Sequence, residues 1–362
     1  MTTGLTPDQL RDQNRRERDR LADQIGKLRQ RANFTDPLET ASKARARLPE
    51  LRQALAAARA RGYLFRQELE AQLAEAEGKA DELVELARQE GARAGRDLRD
   101  DVDRLDDDQR GLGRLDLIAI GPLIDKQEAD ARRLEQAFAD AEKRIAAITE
   151  PLRTRAAEVG KAVDELVFTL DQFAASTAKL LPEENPVACA PATWRDAPGG
   201  DEKPGRLLLS DHRIRFEHVE EKVTKRKMLF FAAEKEEVRE VVLDEPIGHL
   251  LSSTDQQSGV IVKDQLLVFT WDKKAKAPGK TTIELDRGTS KDWDELIERL
   301  KKGDLEREMV ASGPKADTHG VPVQWPDKCT ECGANLDAPV KGQTTIGCPY
   351  CGATHDVIMG QG

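Results

Sequence analysis

Two cysteine pairs near the C-terminus, Cys329-Thr-Glu-Cys332 and Cys348-Pro-Tyr-Cys351, restrict what the end of this chain can become. Cysteines three positions apart can point both sulfurs at one ion. The glycine after each pair, Gly333 and Gly352, lets backbone amides turn back toward the thiolates. Four thiolates in a tetrahedron suit Zn2+, with iron as the competing soft-site metal. Such a set leaves no open position for water, so the expected metal is structural rather than catalytic. Gln343–Ile346 and His355–Ile358 read as the short strands that carry the pairs. With four thiols already available, His355 is expected to be a surface residue.

The paired knuckles resemble zinc ribbons in general, over residues 327–362, and both match without departure. Ribbons serve nucleic acids, proteins or plain stability, so charge has to separate these uses. Around the knuckles Lys328 and Lys341 face Asp327, Glu331, Asp337 and Asp356. An acidic ribbon repels phosphates, which disfavours nucleic acid and leaves Tyr350, at a knuckle tip, as a candidate protein contact. Five cysteines, four of them in paired steps, fit a reducing compartment and a metal better than disulfides. The polar, charged N-terminus does not read as a secretory leader, and no run approaches the ~18–20 apolar residues of a membrane span. The expected setting is cytoplasmic, with contact at the inner face of the membrane as the alternative.

The first half has a different texture. All four tryptophans lie beyond residue 190, while charged residues make up 34% of the chain. Up to Leu181 there are 32 basic and 35 acidic residues, so the acidic surplus belongs mostly to the second half. Charge-rich sequence with few aromatics suits thin, exposed helices. A first helix starts at a Thr6 cap, with Pro7 at its first position and Gln9 closing a capping box. It stops near Asn33 to Pro37. A second is predicted from about Leu48 through Leu55, Phe65, Leu73 and Leu83 to Ala87, and a third from Leu134 to Leu180 with a kink or break at Pro151. Residues 1–181 therefore read as a coiled-coil arm, with a hairpin turn near 111–122. Its apolar tip would comprise Leu115, Leu117, Ile118, Ile120, Leu123 and Ile124.

Residues 182–203, rich in proline and glycine, read as a linker in which Cys189 has no base nearby to make it a nucleophile. Short β-prone runs follow at Arg206–Leu209, Arg213–His218, Met228–Phe231, Val238–Leu243, Gly259–Val262, Leu266–Trp271 and Thr281–Leu285. Alternation along Arg213-Ile214-Arg215-Phe216-Glu217 predicts one buried and one wet face. A helix over 290–302, capped by Thr289 or Ser290, carries Trp293, Leu296, Ile297 and Leu300 at helical spacing. The expectation for 204–303 is a small all-β barrel or sandwich closed by that helix. A second linker, 304–326, would leave the ribbon mobile.

The opening run, Gly205-Arg-Leu-Leu-Leu-Ser-Asp-His-Arg-Ile-Arg-Phe216, resembles the first hairpin of pleckstrin-homology and GRAM-like domains, and the helix with Trp293 fits the one that plugs them. The resemblance implies recognition of lipid headgroups, peptides or proteins without catalysis. Candidate anion-binding residues are Lys222, Lys225, Arg226 and Lys227, and Lys273, Lys274, Lys276 and Lys280. Glu220, Glu221, Glu234, Glu236 and Glu237 largely cancel the first group.

The five histidines form no metal or triad motif, and no phosphate-binding loop, dinucleotide fingerprint or nucleophile elbow is present. The chain thus reads as a multidomain α+β protein without enzymatic activity. As a scaffold it would dock other proteins and associate with itself through its helices. An anionic membrane surface is the alternative partner.

Overall fold

In the computed structural model, residues 6–181, 184–225, 234–258, 264–310 and 324–358 are described. The chain forms two compact units, one of Met1–Gln53 and Leu69–Lys161, the other of Ala54–Glu68 and Ala162–Gly362.

The first unit is built from four helices, α1 (Pro7–Arg31), α2 (Thr35–Ala60), α3 (Glu68–Leu112) and α4 (Gly121–Ala175), of which α2 beyond Gln53 and α4 beyond Lys161 belong to the second unit. α1 opens on the expected capping box: Thr6 Oγ1 accepts from the Gln9 amide at 3.3 Å, and Gln9 Oε1 accepts from the Thr6 amide at 2.9 Å. The core is shared among helices rather than confined to a two-helix seam. Leu21, Ile25 and Leu28 of α1 meet Ala87, Ala94, Val102 and Leu105 of α3, and Ala131, Phe138, Ala141 and Ile145 of α4. Small residues allow this close approach, since a Cβ on Gly95 would lie 2.5 Å from the Ala32 carbonyl oxygen. At the turn between α3 and α4, Leu112, Ile120 and Ile124 are buried together, whereas Leu115 and Leu123 are exposed.

Two helix predictions need correction. The helix expected from Leu48 to Ala87 is two helices, broken where Gly62 takes φ 93° and Arg66 φ 62°. The Arg59 guanidinium holds that break open, donating to the carbonyl oxygens of Tyr63 (2.9 Å), Phe65 (2.6 Å) and Arg66 (3.0 Å). At Pro151, where a kink or break is expected, the helix is not broken: α4 runs on to Ala175. Proline removes one backbone donor there, and the long buried stripe on either side outweighs that loss.

The second unit is built on a seven-stranded antiparallel sheet. Its strands are β1 (Pro186–Trp194), β2 (Lys203–Ser210), β3 (Arg213–Lys225), β4 (Glu234–Pro246), β5 (Leu250–Ser258), β6 (Asp264–Trp271) and β7 (Lys280–Leu285), in the order β4-β3-β2-β1-β7-β6-β5. Trp194 lies opposite Ile283 where β1 meets β7. β4 and β5, the outermost strands, are not paired with each other, so the sheet is open rather than closed into the expected barrel.

The supposed linker 182–203 contains β1, paired along its length with β2. Its prolines do not exclude it from the sheet: Pro186 begins the strand, and Pro191 accepts a bond from the Asp286 amide at 3.0 Å. β5 was not anticipated, being polar beyond Leu251. The strands expected at Met228–Phe231 and Gly259–Val262 lie outside the described residues. Helix α5 (Ser290–Lys301) packs on β5 and β6, burying Trp293, Ile297 and Leu300. Thr289 caps it, its Oγ1 accepting from the Asp292 amide at 3.0 Å.

The predicted wet face of β3 is covered as well. Arg215 and Glu217 are 1% and 0% exposed. The segment after α4 lies over them, with Ser176 Oγ and the Thr177 amide donating to Glu217 Oε1 at 3.1 and 2.9 Å. Behind it, Arg215 donates to Glu184 at 2.8 and 2.9 Å and to Asp244 at 3.1 Å.

Candidate metal centre

Each knuckle is shaped by a pair of backbone bonds. The Cys329 amide donates to the Ala334 carbonyl at 2.7 Å and the Gly333 amide to the Cys329 carbonyl at 2.9 Å. The second knuckle repeats this, from Cys348 to Ala353 at 2.8 Å and from Gly352 to Cys348 at 3.0 Å. The tight return requires the left-handed backbone of Gly333 (φ 71°) and Gly352 (φ 76°). β8 (Thr345–Gly347) and β9 (Thr354–Asp356) pair antiparallel on either side of the second knuckle, each strand shorter than its sequence expectation.

The four sulfurs of Cys329, Cys332, Cys348 and Cys351 all lie within 4.8 Å of one another. Cys329 Sγ is 3.5 Å from Cys351 Sγ, and Cys332 Sγ is 3.5 Å from Cys348 Sγ. Sulfurs bound tetrahedrally to zinc sit roughly 3.8 Å apart, given a Zn–S distance of ~2.3 Å. The donor set therefore fits a single ion with four protein ligands. Cys329 and Cys348 are buried, Cys332 and Cys351 exposed. Amides of Cys351 and then Tyr350 draw the Cys348 thiol down to about 6.

His355 is the residue that sequence reasoning misplaced. It is 8% exposed, and its Nε2 lies 3.2 Å from Cys329 Sγ. β9 puts it there, because His355 and Val357 alternate inward while Thr354 and Asp356 face out. That period-two pattern beside a knuckle was the available signal. An Nε2–H directed at a metal-bound thiolate offsets part of its charge and fixes its position. His355→Ala is expected to weaken metal retention roughly 10–100-fold, read by competition with a chromogenic chelator, while His355→Gln retains a donor and loses less. Equal retention in wild type and His355→Ala would refute the contact's role.

The ribbon is seated on the sheet's unit rather than free. The Gly248 amide donates to the Lys341 carbonyl at 3.3 Å, and a Cβ on Gly248 would come 2.5 Å from Val340 Cβ. Gly342, at φ 83°, lies so close that a Cβ would be 2.1 Å from the His212 carbonyl oxygen. Lys274 Nζ bonds Asp337 Oδ2 at 2.9 Å, so one of the candidate anion-binding lysines is engaged by the ribbon. Lys273, Lys276 and Lys280 are exposed. Of the other group, Arg226 and Lys227 lie outside the described residues; the register of β3 and β4 sets Lys222 opposite Glu236 and Lys225 opposite Glu234. Cys189 lies in β1, where burial pushes its thiol up to about 12, leaving it neutral.

No family model and no curated protein matches this chain. Among solved structures, the DH/PH domains of a p115-RhoGEF mutant align at 14% identity and a TM-score of 0.23, covering 79% of this chain and 98% of that one. Vav1 inhibited by an allosteric inhibitor aligns at 16% identity and a TM-score of 0.25, covering 95% and 92%. Superpositions this loose carry neither a fold nor an activity across to this chain.

Proposed function

We propose that this protein is a non-catalytic scaffold whose sheet unit is a pleckstrin-homology/GRAM-like domain fused to a structural zinc ribbon. The observation that carries the reading is the closed set of four sulfurs, which offers a metal no open position for substrate or water. The antiparallel order β4-β3-β2-β1-β7-β6-β5 followed by α5 supports the pleckstrin-homology likeness. In this reading the helical unit mediates self-association, the sheet unit and ribbon dock other proteins in the cytoplasm, and zinc maintains the ribbon's shape. Protein docking is favoured over lipid because the lysines are interleaved or paired with acids, as in Lys274 with Asp337.

Flotation of the full-length protein with neutral and anionic vesicles, at low and high salt, tests this reading. The expected result is that the protein stays with the dense fraction in every case. Salt-sensitive flotation with anionic vesicles would replace the protein-docking scaffold with a membrane-recruited one.

A further inference from the structure

We propose that the crevice of about 410 Å³ between β1, α5 and the turn after α2 is a binding site for a compact cationic amphiphile. All of its walls belong to the second unit. Its volume falls within the ~300–1,000 Å³ typical of small-molecule sites. The floor is β1, through Val187, Ala188 and Ala190, and the neutral thiol of Cys189 adds no charge there. Leu166 and Phe168 of α4 and Leu296 of α5 complete an apolar lining.

The charge of the head group follows from the rim. Arg66 is answered by Glu68 at 3.2 Å and Glu165 at 3.8 Å, and Arg299 by Glu308 at 2.5 Å. Arg287 lies over the Phe168 ring, its guanidinium carbon 5.7 Å from the centroid, so the crevice's own aromatic face already carries a cation. Two further carboxylates on this wall, Asp292 and Glu295, stand three residues apart on one exposed face of α5. Among the described residues Glu295 is ion-paired with Lys291 alone, at 3.7 Å between two exposed side chains, an interaction a ligand displaces at little cost. The helix start does not redirect the site toward anions, because Thr289 caps it and Asp292 already stands in its first turn. An ammonium between Asp292 and Glu295, with its body over the β1 floor, satisfies both the charge and the apolar lining.

Two probes of the same shape and opposite charge, phenethylammonium and 3-phenylpropanoate, decide the matter by titration calorimetry on the full-length, metal-loaded protein. The expected result is saturable binding of the ammonium alone, weakened at least about tenfold in Asp292→Asn/Glu295→Gln. Ala188→Leu, which fills the floor, should abolish it; circular dichroism confirms that each variant is folded. Binding of the carboxylate with equal or higher affinity, binding unchanged in the variants, or no heat from either probe would overturn the proposal.

Discussion

Removing the metal, by chelation or by Cys348→Ser, is expected to unfold residues 324–358 while most of the sheet remains intact. The ribbon's buried cluster consists of Cys329, Leu336, Ile346, Cys348 and Val357, and two of these five are the ligands themselves. Its only strands in the described residues are three residues each. A core this small does not offset the chain entropy of the segment it orders, so a metal held by the four thiols would contribute that free energy. Structural zinc supplies roughly 10–16 kcal/mol in small zinc peptides, far more than the remaining contacts of a ribbon. Loss should then propagate to the seat. The exposed Lys274–Asp337 pair contributes about 1 kcal/mol at most and cannot hold the loop alone. Hydrogen exchange is the measurement. In the stripped protein, Cys329, Cys348 and Val357 amides should exchange as in an unfolded chain, and Gly248 should lose protection with them. Amides of β1 and β2 should stay protected. Unchanged exchange at Cys348 in protein shown by elemental analysis to hold neither zinc nor iron would refute a metal-dependent ribbon.

The parts legible in the sequence were those written in local chemistry. The knuckles need only two cysteines and a glycine at fixed spacing, and the starts of α1 and α5 need only a threonine cap with its partner three residues on. Non-local determinants were hidden. β1 looked like linker because Pro186 and Pro191 lie in it and Pro198 follows it, yet the open sides of β2 and β7 offer it hydrogen bonds that sequence proximity does not reveal. The break between α2 and α3 was masked because Tyr63 and Phe65 preserve an apolar texture through it. Gly62, at φ 93°, ends α2 locally, and the three carbonyls gathered by Arg59 hold the turn that follows. β3 misled in a further way. Its alternation of apolar and charged residues was real, but both faces are covered, and the charges are buried in pairs rather than solvated.

That burial leads to a second large effect, and to an asymmetry between its partners. Glu184 has a fully buried side chain and accepts from Arg213 at 2.6 Å, from Arg215 at 2.8 Å and from the Leu181 amide at 2.8 Å. Glu184→Ala would leave two guanidiniums side by side with only the partly exposed Asp244 to balance them. An arginine cannot relieve this by losing its proton, so the cost should reach ~3–5 kcal/mol. Arg215→Leu is the milder change. Glu184 keeps Arg213, and the variant removes an Nη1 that is buried without a partner. Its cost should be ~1–3 kcal/mol. The double variant should be less destabilised than the sum of the two, since Glu184→Ala strands the Arg215 charge that the second change removes. Denaturant unfolding followed by tryptophan fluorescence reads this unit selectively, because Trp194, Trp271, Trp293 and Trp325 all belong to it. Far-UV ellipticity, dominated by α1 to α4, should shift much less. If Arg215→Leu proved as damaging as Glu184→Ala, the arginine rather than the carboxylate would be the centre of the network.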